Sequence, residues 1–122
     1  MIKASTLAFL QDLQNNNNRE WFHGNKRTYQ AAKDDFYTMI QALINEIALF
    51  DPSVAALQPK DCAFRINRDI RFSKNKAPYK TDFGAAIVEG GRKSIKSGYY
   101  IHIEPNKSLI AGGMYCPAPQ QL

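Results

Sequence analysis

The chain has 122 residues, of which 44% are hydrophobic and 22% charged. This composition is that of an ordinary globular domain and excludes a disordered or fibrous chain. The net charge of +5 and the sequence pI near 9.3 favour acidic partners, although they are milder than those of dedicated nucleic-acid-binding arms. With two histidines and no Cys-x-x-Cys pair, neither a metal cluster nor a thioredoxin-type site is indicated.

The N-terminal residues pass directly into a helical pattern, without the apolar segment of a signal peptide. No apolar run approaches the length that spans a membrane. We therefore expect a cytoplasmic protein that has no membrane partner.

Two helices are predicted in the first half of the chain. A short one is indicated by Phe9, Leu10 and Leu13, which share one helical face before the four asparagines at 15–18. A long helix follows a break near Gly24, because apolar residues recur at steps of three and four up to Phe50. The proline at 52 ends it, since the residue before a proline avoids the α region.

After a polar loop at 52–61 the hydrophobic period changes to two, which is typical of half-buried strands. The first strand is predicted at 62–72. Its apolar parity holds Cys62, Phe64, Ile66, Ile70 and Phe72. Further strands are predicted at 81–88, 99–104 and 109–116, with turns at 89–93 and 105–108.

Because the predicted helices precede the predicted strands along the chain, we expect the α+β class. A short and a long N-terminal helix would pack on an antiparallel sheet or meander. The absence of βαβ alternation and of internal repeats favours a single domain over residues 1–122.

Most of the excess charge lies between Lys60 and Asp82, where seven cations accompany three carboxylates. Arg65 and Arg71 share a strand face with Asp69, whereas Arg68 falls on the apolar parity. A buried guanidinium without a partner is very costly. Arg68 must therefore pair with a carboxylate (Glu20, Asp61 or Glu104), line a pocket that admits an anion, or be turned outward by a bulge at 67–69.

The loop at 73–80 combines a hydroxyl, an amide, several amines and a rigid Pro-Tyr corner, so it is suited to hold a phosphate or a carboxylate. It lacks the glycine spacing of a P-loop. His102, which shares a strand face with Tyr100 and Glu104, is a candidate for acid–base work. The candidate ligand-binding residues are Arg65, Arg68, Arg71, Ser73, Lys74, Lys76, Tyr79, Lys80 and His102.

No nucleophile–base pair and no metal-ligand spacing is visible, so the sequence predicts no cofactor and no metal, and leaves open whether the protein is an enzyme. The alternative to a binding site is structural: the three arginines would tie the sheet to the helices through Asp and Glu partners.

Three segments together resemble the domain-of-unknown-function family 2461, a family of conserved hypothetical, mainly bacterial proteins. They are Asn17-Asn18-Arg19-Glu20-Trp21-Phe22 with Asn25-Lys26, then Phe64-Arg65-Ile66-x-Arg68-Asp69-x-Arg71-Phe72-Ser73-Lys74-x-Lys76-x-Pro78-Tyr79-Lys80-Thr81, and Gly98-Tyr99-Tyr100-x-His102-Ile103. The resemblance runs from about Thr6 onward and implies no established activity, cofactor or partner. It implies that the motif residues form a shared feature, and that the chain corresponds to the N-terminal half of longer family members.

The sequence is therefore compatible with three functions. The first is binding of a small anionic ligand by the Arg/Lys-rich strand and loop. The second is nucleic-acid binding through the same basic surface, although no helix-turn-helix, RNP or zinc-finger pattern is present. The third is a structural or interaction domain without a ligand, which predicts self-association into a homo-oligomer through exposed apolar surface and strand edges.

Overall fold

A computed structural model describes residues 2–94 and 97–114 of the chain. Within these residues four α-helices precede three strands, which confirms the α+β class. The helices are α1 (Ala4–Asn15), α2 (Arg19–Gly24), α3 (Lys26–Ala48) and α4 (Pro59–Cys62), with a 3₁₀ turn at Pro52–Val54. The strands are β1 (Phe83–Ile87), β2 (Ser97–Ile103) and β3 (Leu109–Met114).

The sheet is an antiparallel meander in the order β1-β2-β3, as the sequence predicts. Phe83 lies opposite Ile103 and Gly84 opposite His102, so the register of β1 on β2 is defined residue by residue. The last predicted strand, at 109–116, ran to Cys116; β3 ends at Met114, and Cys116 lies outside the described residues. No helix in residues 2–94 and 97–114 is long and apolar enough to cross a membrane.

The core lies between the helices and one face of the sheet. Phe83 of β1 stacks on Phe36 of α3, with 5.3 Å between ring centroids, and on Phe9 of α1 at 6.4 Å. Ile101 and Ile103 of β2 are buried on the same side. This packing follows the helical and strand periodicities, because each element buries one face.

The long helix ends earlier than its pattern suggests. α3 stops at Ala48, and Leu49 and Phe50 are 81% and 69% exposed, so Phe50 does not continue the buried stripe. The side chain of Asp51 accepts a hydrogen bond from the Ser53 amide and begins the 3₁₀ turn instead.

The prediction of a strand at 62–72 is wrong. Cys62 ends α4, and the following segment makes only isolated bridges, from Ala63 to Ala85 and from Asn67 to Tyr79. The chain then turns, because the Asp69 carboxylate accepts from the Arg71 amide. Phe72, predicted to be inward, is 93% exposed at this turn. Exposed side chains still alternate with half-buried or buried ones from residue 64 to 70, and this alternation is the pattern that predicted a strand.

Candidate functional site

The basic loop, defined here as residues 67–79, is closed at its base like a hairpin. The Arg68 amide donates to the carbonyl of Pro78 at 2.9 Å, and the Lys80 amide donates to the carbonyl of Ile66 at 2.7 Å. These bonds place Arg65 and Lys80 side by side at the foot of the loop, and the cations between them on the loop itself.

Arg68 folds back over the loop. Its guanidinium donates to the carbonyls of Ala77 at 2.9 Å and Asn75 at 3.3 Å, and to the hydroxyl of Ser73 at 3.4 Å. None of the three carboxylates considered in the sequence pairs with it. Backbone carbonyls satisfy the half-buried charge instead, so Arg68 and Ser73 shape the loop.

Lys76 and Arg71 also make contacts within the loop. Lys76 Nζ donates to the carbonyl of Ile70 at 2.6 Å. Arg71 pairs with Asp69 at 2.9 Å between two exposed side chains, and hydrogen bonds from Arg71 lower the pKa of the Asp69 carboxyl. Lys74 is exposed and forms no hydrogen bond or ion pair with the part of the chain that the structure describes.

Tyr79 belongs to the core. It is 5% exposed, and its ring stacks on Phe22 with 4.1 Å between centroids. The Asn17 side chain accepts from the Tyr79 amide at 3.1 Å and donates to the Tyr79 carbonyl at 2.8 Å. Tyr79 therefore anchors the loop to the α1–α2 connection.

Arg65 and Lys80 line an open pocket of about 700 Å³, called the basic groove below. Its lining residues are Phe64, Arg65, Asn67, Asp69, Lys80, Arg92 and Lys93. A smaller cavity of about 260 Å³ adjoins it, shares Phe64, Arg65, Asn67 and Arg92, and adds Lys33 and Lys60. Neither pocket is lined by Arg68 or Arg71, so the three arginines of the motif do not converge.

Arg92 is brought to the groove by the turn at 89–93, which contains two glycines. The sequence analysis predicted this turn but assigned it no role in a site. The Arg92 amide and one guanidinium nitrogen donate to the carbonyls of Asp61 and Lys60, each at 2.9 Å. Gly91 makes this approach possible, because its φ is +86° and a Cβ there would lie 2.9 Å from the Asp61 oxygen. Arg92 and Lys93 are thus groove residues that the sequence analysis did not predict. The paired glycines before them were the feature of the sequence that could have indicated a close backbone approach there.

The pKa of the Lys80 ammonium is lowered chiefly by burial. Asp82 opposes this shift, and Arg65 adds a smaller effect that lowers the pKa. The Lys80 Nζ lies 5.7 Å from the centre of the Phe64 ring, a cation–π contact on the groove wall.

His102 lies apart from the loop, on the outer face of the sheet. Its Nε2 is 2.7 Å from Glu104 Oε1, and both side chains are 21% exposed. This pairing confirms the predicted His–Glu face. Asp82 joins them: one donor atom from each of the three side chains lies within 4.8 Å of the others. Asp82 is a residue of this carboxylate–histidine cluster that the sequence did not single out.

Burial is the main influence on the pKa of Asp82 in this cluster. Desolvation raises the pKa of the Asp82 carboxyl, and Glu104 raises it further, whereas His102 and Lys80 lower it. Because Lys80 lines the groove and also acts on Asp82, the cluster and the basic groove are neighbours.

Comparison with protein-family models identifies a family. The family model described as "Conserved hypothetical protein (DUF2461)" matches residues 5–122. The chain belongs to this family. No curated protein and no solved structure matches it.

The structure brings the motif segments of this DUF2461 chain together. Asn17 and Phe22 from the first segment hold Tyr79 of the second. Phe64 of the second segment lies 6.2 Å from Tyr100 of the third, between ring centroids, and the Phe64 ring and the Tyr100 hydroxyl both lie close to Gly84. The segments that define the resemblance therefore form one connected unit around the foot of the basic loop.

Proposed function

We propose that this domain binds a small anionic ligand, a phosphate or a carboxylate, in the basic groove. The observation that carries the proposal is the makeup of the groove wall: Arg65, Lys80, Arg92 and Lys93 accompany a single carboxylate, Asp69, which is already bonded to Arg71.

The charge of Arg65 in the groove is available for a ligand. Among residues 2–94 and 97–114, Arg65 forms no hydrogen bond or ion pair, in contrast to Arg68 and Arg71. Burial disfavours the charged form of Lys80, and repulsion from Arg65 adds a smaller effect in the same direction, which attraction to Asp82 opposes. A bound anion would offset the repulsion and accept charge-assisted hydrogen bonds from both side chains.

The size and chemistry of the groove support a small ligand. Its volume of about 700 Å³ lies within the range of about 300–1,000 Å³ that is usual for ligand pockets. The Asn67 amide offers a neutral polar contact, and the Phe64 ring forms an apolar wall. Fixed cations, one amide and one aromatic face form a set that can orient an anion as well as attract it.

Isothermal titration calorimetry with inorganic phosphate, pyrophosphate, succinate and citrate tests the proposal. We expect at least one anion to bind, and the double variant Arg65→Gln/Lys80→Gln to weaken it by more than about 10-fold, because each charged hydrogen bond contributes about 1.5–3 kcal/mol. The matched control Arg27→Gln/Lys107→Gln removes the same two charge types from exposed positions outside both pockets. It should change affinity by less than about 2-fold.

Two results would contradict small-anion binding. One is the absence of binding by all four anions; the other is an equal loss in the groove variant and the control. A single-stranded oligonucleotide serves as a further arm. Binding of the oligonucleotide alone, with a steep loss of affinity as salt rises, would identify the alternative function on this basic surface.

A further inference from the structure

We propose that Asp82, His102 and Glu104 form a binding site for a divalent transition-metal ion. The proposal does not depend on anion binding, because none of these side chains lines the basic groove. It starts from geometry: one nitrogen and two carboxylate oxygens from these side chains already lie within 4.8 Å of one another.

The β1–β2 ladder brings the three residues together. Phe83 pairs with Ile103, so Asp82 and Glu104 flank the end of the ladder, and His102 lies on the same face as Glu104 because strand side chains alternate. Ser108 holds the Glu104 backbone in place, since its hydroxyl accepts from the Glu104 amide at 3.1 Å and donates to the Glu104 carbonyl at 3.0 Å. The positions of the donors are thus set by the sheet and its turn.

Asp82 is the member of the cluster whose charge is least satisfied. Its carboxylate makes no hydrogen bond or ion pair with the residues that the structure describes, although it is half-buried. It also faces a second carboxylate, Glu104, since their oxygens lie within 4.8 Å of each other and of the His102 nitrogen. A divalent ion between the two carboxylates would offset the repulsion between them.

The donor set points to the class of ion. A histidine nitrogen with carboxylate oxygens suits Mn²⁺, Co²⁺ or Zn²⁺, whereas Mg²⁺ and Ca²⁺ prefer oxygen ligands alone. Bonds of about 2.0–2.2 Å place tetrahedral ligand atoms roughly 3.4 Å apart. Small side-chain rotations would reach this spacing from the observed 4.8 Å limit. The ion would replace the bond between His102 Nε2 and Glu104 Oε1 and keep a coordination position for water or an anion.

Titration of chelator-treated protein with Co²⁺, followed by calorimetry and visible absorption, tests the site. We expect one ion per chain, with binding weakened by more than about 10-fold in each of Asp82→Asn, His102→Gln and Glu104→Gln. Mg²⁺ should bind more weakly than Co²⁺. The matched control is His23→Gln, which replaces the other histidine of the sequence, an exposed residue at the end of α2. It should leave Co²⁺ affinity unchanged.

Melting of each variant in chelator verifies that it is folded. If Asp82→Asn fails this check, the His102 and Glu104 variants decide the outcome. The proposal is overturned by the absence of Co²⁺ binding, by tighter binding of Mg²⁺ than of Co²⁺, or by binding that His23→Gln abolishes and His102→Gln preserves. A thiolate-to-cobalt charge-transfer band would also overturn it, because the proposed site contains no cysteine.

Discussion

Two cations of the basic groove and the cations of the basic loop come from one stretch of sequence, yet they have different surroundings. Arg65 and Lys80 stand at the foot of the loop and line the groove. Arg68 and Lys76 lie on the loop and donate to its own carbonyls. The difference teaches that a count of cations does not measure a binding surface, because a closed loop presents backbone acceptors that can satisfy a guanidinium or an ammonium.

The largest effect is expected where the loop meets the core. Tyr79→Ala should destabilise the protein by about 3–5 kcal/mol, because it removes a buried ring that stacks on Phe22. Chemical denaturation measures the change. The control Phe72→Ala, at a 93% exposed ring on the same loop, should stay within about 0.5 kcal/mol. Equal costs at the two positions would mean that the loop is not anchored through Tyr79.

A smaller effect is expected from the arginine that organises the loop. Arg68→Ala should cost about 1.5–3 kcal/mol, because it removes hydrogen bonds from a charged donor to the Ala77 and Asn75 carbonyls. The unfolding free energy should fall with little change in anion affinity. The matched control Arg71→Ala removes the same side chain from an exposed pair and should leave the melting temperature unchanged. Loss of anion binding in Arg68→Ala, with stability intact, would instead place Arg68 in the ligand site.

The smallest effect concerns the pH dependence of stability beside the groove. The folded state raises the pKa of Asp82 above its ordinary value of 3.8, chiefly by burial. Protonated Asp82 is thus compatible with folding, and its stabilising contribution is lost as pH rises through the folded pKa. Measured in chelator, Asp82→Asn should therefore be more stable than the parent at pH 7. Its advantage should shrink as pH falls through the raised folded pKa and should be lost below 3.8.

Asp35→Asn provides a control variant whose change in stability should have the opposite sign to that of Asp82→Asn. Burial raises the pKa of the Asp35 carboxyl, but hydrogen bonds from Thr6 and Lys3 outweigh burial and lower it. The stability that Asp35 contributes is present above the unfolded pKa and lost in acid, so Asp35→Asn should be less stable than the parent at pH 7. Parallel pH profiles for the two variants would contradict the assignment of Asp82 to a desolvated, mutually repelling cluster.

The features that were predicted correctly from the sequence are those that follow from local hydrophobic periodicity. The 3.6-residue period of α3 and the two-residue period of β2 predicted their buried faces, and the same two-residue period placed His102 beside Glu104. The predicted strand at 62–72 failed although its alternation was real. Alternation reports which side chains are buried, whereas a strand also needs a continuous backbone partner, and residues 63–67 have only isolated bridges.

By itself the sequence determined the α+β class, the family and the concentration of positive charge between Lys60 and Asp82, because these follow from periodicity, motif and composition. Only the tertiary structure decided which of those charges line a pocket. It turned Arg68 into the loop, buried Tyr79 against Phe22, and brought Arg92 to the groove through Gly91. The physical reason is that a charged side chain is satisfied by whichever acceptors surround it in space, and those acceptors come from chain segments whose approach no local pattern records.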